Sequence, residues 1–247
     1  MPRREVSIPT PDGACNAWLH TPASGAGPWP AVIMYCDAGG VRTTFHDMAQ
    51  RLADLGYAVL LPNPYHRAGP FEPFDGRTTF SDPGERARLR DLLAVITEER
   101  AAVDTAAMLA FLPDQPEVRG MAVGTTGYCM GGSFALTAGG RHPDRVVAAA
   151  SFHGGELASD APDSPHVLAG AMKAKLYIAA AENDRTFPPL QHERLSTALT
   201  AAGVDHTLVT YPAAHGFAVA DNPTYDEAAA ERHWQALEEL FASTLGA

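Results

Sequence analysis

Three side chains able to do acyl-transfer chemistry lie in a definite order: Cys129, Asp184 and His215. Cys129 sits in Gly127-Tyr128-Cys129-Met130-Gly131-Gly132, entered from the apolar run Met121-Ala122-Val123. Glycines on both sides of one reactive residue, between a strand pattern and a helix pattern, describe a tight turn that thrusts that residue out. A sulfur at the mouth of a helix is favoured as thiolate by the partial positive charge there. His215 would take or hold the thiol proton, and Asp184 would fix the imidazole tautomer through its other nitrogen. Cys129 would then attack a carbonyl to give a thioester, which His215 hydrolyses through water. The oxyanion needs two backbone N–H donors, expected from Met130, after the nucleophile, and Ala38, where Gly39 and Gly40 permit close approach.

These residues must be carried by the ends of strands. Val6 to Pro9, Asp12-Gly13 and Cys15 to His20 read as a hairpin, and 22–30 as a Gly/Pro-rich connector. The runs 31–35 and 57–61 read as buried strands flanking a helix over 44–55 that Gly56 closes. Residues 62–80 read as an excursion over one end of the sheet, and 83–112 as one long helical region. Strands at 120–125, 146–152, 175–181 and 206–211 then alternate with helices at 131–141, 190–202 and 225–243. This pattern predicts an α/β fold: one domain over 1–247, with a mostly parallel sheet and helices on both faces. Cys36-Asp37-Ala38, Cys129, His153, Asp184 and His215 each follow a strand, at the edge where such sheets bind ligands. The order nucleophile, acid, histidine is that of the α/β-hydrolase fold.

Composition narrows the function. The chain has 247 residues, is 46% hydrophobic and 19% charged, and carries a formal net charge of −11. That balance argues against nucleic acid and anionic membrane surfaces as partners. The N-terminus lacks a signal-peptide pattern, and no segment approaches a membrane span. The three cysteines are widely separated, without metal-ligand spacing or a disulfide framework, which fits a reducing, cytoplasmic setting and no metal.

The chain resembles the dienelactone hydrolase family over nearly its whole length. The resemblance is carried by Pro11-Asp12-Gly13, Leu55-Gly56-Tyr57, the Cys129 turn with its paired glycine, Glu182-Asn183-Asp184 and His215-Gly216-Phe217. It implies a cofactor-free hydrolase of small esters or lactones, monomeric or homodimeric, with Cys129, Asp184 and His215 as triad. Family members place a glutamate that holds the resting thiol where this chain has Asp37. They carry a substrate-binding arginine where this chain has Val219, and a second near Arg88. Asp37, Arg88, His153 and Phe217 are therefore the expected substrate-side residues, and the loss at Val219 favours a less charged ester or lactone. His142, His192 and His233 are read as surface residues, and Trp234, Leu237 and Phe241 as a core stripe. The rival readings are a promiscuous esterase or thioesterase, or a redox-sensing, non-catalytic member in which Cys129 oxidises or binds ligand.

Overall fold

The computed structural model describes residues 2–79 and 81–246. Residues 1, 80 and 247, which the readings 1–247 and 62–80 include, lie outside the described residues. Strands β1 (Arg3–Thr10) and β2 (Gly13–His20) form the expected hairpin, in full antiparallel register from Arg3 opposite His20 to Thr10 opposite Gly13. Gly13 closes the turn at φ 120°, a conformation side chains resist. The hairpin shows the period-two signature of a half-buried edge: Val6 and Ile8 are buried while their neighbours face water.

The remaining strands are β3 (Trp29–Tyr35), β4 (Ala58–Pro62), β5 (Val118–Tyr128), β6 (Val146–Phe152), β7 (Lys175–Ala181) and β8 (His206–Tyr211). They join the hairpin in one eight-stranded sheet ordered β1-β2-β4-β3-β5-β6-β7-β8. Every pairing from β4 to β8 is parallel. The helices are α1 (Thr43–Ala53), α2 (Pro83–Leu93), α3 (Glu98–Phe111), α4 (Met130–Arg141), α5 (Pro189–Ala201) and α6 (Glu227–Leu245).

Alternate residues of β3 explain why both faces are covered. Ile33 and Tyr35 join one core with Met108, Phe134 and Leu195, from α3, α4 and α5. Val32 and Met34 join another with Phe45, Leu52, Trp234, Leu237 and Phe241, from α1 and α6. A strand buried on both faces has no polar side to alternate, hence the continuous apolar runs. A third, smaller cluster packs Ala38 with Tyr65, Phe74, Leu89 and Leu92, fastening the 63–79 excursion and α2 to the loop after β3.

Two expectations are corrected. The helical region 83–112 is two helices, because Thr97 adopts extended backbone and its hydroxyl caps α3 through the Arg100 N–H. His233 is fully buried, not a surface residue. It lies on the same face of α6 as Trp234 and Leu237, accepts or shares a proton with Tyr128 Oη at 3.0 Å, and its ring meets Phe152 edge-on.

Candidate active site

After β3 the chain returns as β4 on one side and then crosses to β5 on the other, so the crevice beside β3 and β5 is the switch point of the sheet. Tyr35 is in register with Gly127 there, which sets the loop after β3 beside the turn after β5. Cys129 occupies that turn at φ 54°, ψ −118°, a conformation that costs on the order of 1–3 kcal/mol outside glycine. Its neighbours leave no alternative. A Cβ on Gly127 would lie 1.8 Å from Gly131 O, and one on Gly131 would lie 2.4 Å from Tyr35 O. Cys129 is only partly buried, whereas Cys15 and Cys36 are buried.

The acid and the base arrive on β7 and β8. Asn183 turns at φ 55° and brings Asp184 inward, where Oδ2 accepts from His215 Nδ1 at 2.7 Å. Asp184 Oδ1 accepts from the N–H and hydroxyl of Thr186, at 2.8 and 2.7 Å. Burial works against ionising Asp184, but the His215 and Thr186 bonds outweigh it and hold the carboxyl below its ordinary range. Burial likewise disfavours charge on His215, yet the bonds to Asp184 and to the Cys129 thiol, with their charges, push it up to about 10. These shifts favour the protonated imidazole beside the Asp184 carboxylate. Thr224 Oγ1 donates to His215 O at 2.5 Å and steadies the histidine loop.

Two backbone N–H groups are the candidates for binding an oxyanion. Met130 is the first residue of α4, so its N–H has no partner within the helix. Ala38 lies in a turn closed by Gly40 N–H to Asp37 O at 3.0 Å, and its carbonyl accepts from Tyr65 Oη at 2.5 Å. That bond fixes the peptide plane between Ala38 and Gly39, whose N–H donates to Asp37 Oδ1 at 2.9 Å.

The substrate-side expectations fare differently. Asp37 is buried and its carboxylate is taken by Arg42, at 2.7 and 3.0 Å, and by the Gly39 N–H at 2.9 Å. It braces its own loop. Arg88 is committed elsewhere: Nη1 donates to Glu72 O, Nη2 to Glu85, and the guanidinium lies over Phe74 at 3.9 Å. His153, at φ 39°, is buried directly beneath the triad, its ring edge-on to His215 at 5.1 Å. Burial, then the charge on His215, hold its pKa well below the ordinary histidine value. Phe217 is fully buried under His153, at 5.0 Å between rings, and so supports the wall without reaching its surface. Val219 is fully buried in the core. An open groove of about 610 Å³ runs along Asp184, Arg185, Thr186 and His215. Among the described residues, no three His, Cys, Asp or Glu side chains converge as a metal site, and no helix is long and apolar enough to cross a membrane.

A cysteine on a positive-φ turn and an aspartate-bound histidine thus stand at the same edge of the sheet. The model of the dienelactone hydrolase family matches residues 15–245. The chain belongs to the dienelactone hydrolase family. It is 30% identical over 245 residues to a Synechocystis protein provisionally named carboxymethylenebutenolidase, covering 97% of this chain and 96% of that one. A Methylorubrum extorquens protein of the same provisional name is 27% identical, over 96% of this chain and 79% of its own. Among solved structures, a Klebsiella pneumoniae protein provisionally described as a dienelactone hydrolase superposes with TM-score 0.83 at 23% identity, over 97% of this chain and 98% of that one. A dienelactone hydrolase-like promiscuous phosphotriesterase from metagenomic libraries gives 0.78 at 24% identity, with both chains fully covered. The fold is thus the α/β-hydrolase fold, and the chain is a carboxylic ester hydrolase.

Proposed function

We propose that this chain hydrolyses a small, neutral ester or lactone through a thioester on Cys129. The observation that carries the reading is the 2.7 Å bond that ties His215 Nδ1 to Asp184, at the same edge of the sheet where Cys129 stands on its positive-φ turn. The thiolate attacks the carbonyl carbon, and the oxyanion forms within reach of the Ala38 and Met130 N–H groups. The intermediate collapses, the C–O bond breaks, and the leaving alkoxide takes the proton of His215. Neutral His215 then removes a proton from water, whose oxygen attacks the thioester. Collapse releases the acid, and the sulfur leaves as thiolate beside a protonated His215.

A neutral substrate is favoured by the positions where the family resemblance would place a carboxylate-binding cation, and by the cation nearest Ala38. Arg88 is spent on Glu85, Glu72 and Phe74. Arg42 is spent on two carboxylates, and Val219 carries no charge. The ester or lactone class fits the names of the relatives. His153 forms a neutral wall under the acyl group, and we read the chain as one catalytic domain.

The test is turnover of p-nitrophenyl acetate and of paired neutral and anionic lactones by wild type and Cys129→Ala. Turnover should favour the neutral member of each pair and vanish in Cys129→Ala. Turnover that survives Cys129→Ala contradicts the mechanism, and a preference for the anionic lactone contradicts the substrate class.

A further inference from the structure

No motif marks Arg42, yet it is the most heavily engaged cation near the site. Its five N–H groups make five hydrogen bonds: Nη1 to Asp37 Oδ1 and Gly40 O, Nη2 to Asp37 Oδ2 and Asp221 Oδ1, and Nε to Asp221 Oδ2. The side chain is only 6% exposed, so none of these bonds is diluted by water. One edge of the guanidinium grips the turn that presents Ala38, since Asp37 Oδ1 also accepts the Gly39 N–H. The other edge grips Asp221, on the loop that follows His215. Gly76 of the excursion sits directly on Asp221, where a Cβ would lie 2.9 Å from its carboxyl carbon and its backbone oxygen. Arg42 therefore joins two segments far apart in sequence, and the second of them also packs against the excursion at Gly76.

A buried cation holding two carboxylates is a poor source of stability, because desolvation consumes much of the attraction. Its distinguishing property is geometric: the fork fixes both partners in angle as well as distance. The Ala38 peptide is then held from two sides, its carbonyl by Tyr65 Oη and its turn by Arg42. The geometry points to Arg42 as a positioning residue for the hydrolysis proposed above, one that sets the oxyanion donor of Ala38 and locks that loop to the histidine loop through Asp37 and Asp221.

This inference rests on the thioester reading, and two rates on each protein separate them. Hydrolysis of p-nitrophenyl acetate passes through an oxyanion in both half-reactions. Alkylation of Cys129 by iodoacetamide needs the thiolate but creates no oxyanion, and the other two cysteines are buried. Arg42→Lys keeps the charge but loses the fork. It should lower kcat about tenfold or more, a fraction of the loss expected for deleting an oxyanion donor, and leave KM and the alkylation rate within about twofold. Equal losses in both rates, or no loss in either, overturn the positioning role. If Arg42→Lys does not fold, Asp37→Asn frees the same turn from one side and should give the same split between the two rates. Wild-type turnover that persists in Cys129→Ala defeats the thioester reading itself; Cys129-dependent turnover undiminished in Arg42→Lys defeats only the clamp.

Discussion

Replacing Asp184 by asparagine tests how the base is aimed. The two oxygens of Asp184 are not equivalent. Oδ1 accepts from both the N–H and the hydroxyl of Thr186, while Oδ2 accepts from His215 Nδ1 at 2.7 Å. An asparagine must keep its carbonyl oxygen toward Thr186, because two donors already point there. Its NH2 group is then forced toward His215. Nδ1 must become an acceptor, so the proton of the neutral ring moves to Nε2 and faces the sulfur, the wrong tautomer for accepting the thiol proton. Loss of the charge-assisted bond alone is worth about 1.5–3 kcal/mol, or roughly 10- to 150-fold at 1.36 kcal/mol per decade. With the tautomer inverted, we expect kcat/KM for p-nitrophenyl acetate to fall at least about 100-fold. The replacement is isosteric, so Tm should move by less than about 4 °C. The His215 ring should titrate near the ordinary histidine value of about 6.5, followed by NMR. A variant that keeps its activity within about threefold, or a His215 that stays protonated at high pH, would refute the reasoning.

Further outcomes follow from the same contacts. Gly131→Ala would drive a Cβ to 2.4 Å from Tyr35 O and 2.5 Å from Cys36 O, backbone atoms that cannot turn aside. It should cost about 3 kcal/mol or more, and an unchanged urea midpoint would speak against the elbow packing. Arg67 gives Asp104 two hydrogen bonds of 2.7 Å, and Asp104 is 6% exposed. Arg67→Ala strands that carboxylate with His66 alone and should destabilise by about 3 kcal/mol, a Tm loss of roughly 6–12 °C; a loss under about 2 °C would count against it. A histidine whose native pKa is raised binds its proton more tightly when folded. His215 therefore contributes full stability below its unfolded value, and loses it as pH rises through about 10. Urea denaturation should show that alkaline decline in wild type and less of it in Cys129→Ala, and equal slopes would contradict the assigned pairing.

The triad positions were readable because each member follows an apolar strand at the ligand-binding edge of a parallel sheet, and strands leave a strong apolar signature. The break at Thr97 was also readable, since Thr97 before Glu98 and Glu99 is an N-cap pattern; the apolar periodicity across 83–112 hid it. His233 could have been placed in the core by its spacing from Trp234 and Leu237 along α6. Arg42 could not. Its partner Asp221 lies 179 residues away, and no local pattern encodes an ion pair that exists only once the sheet has brought two loops together. Asp37 differs, for Arg42 lies only five residues on: the family resemblance suggested a contact with the thiol, while the turn gave the carboxylate to Arg42. Arg88 was captured by Glu85, one helical turn away, a pairing that i,i+3 spacing alone would have offered.

The central claim is a covalent acyl group on the sulfur of Cys129. Rapid acid quench of the enzyme with p-nitrophenyl acetate, followed by intact-mass and peptide analysis, tests it most directly. The account predicts the mass of one acetyl group, located on Cys129, in wild type quenched within the first turnovers, and its absence from Cys129→Ala. Steady hydrolysis with no adduct in any variant, or an adduct on another residue, would contradict it.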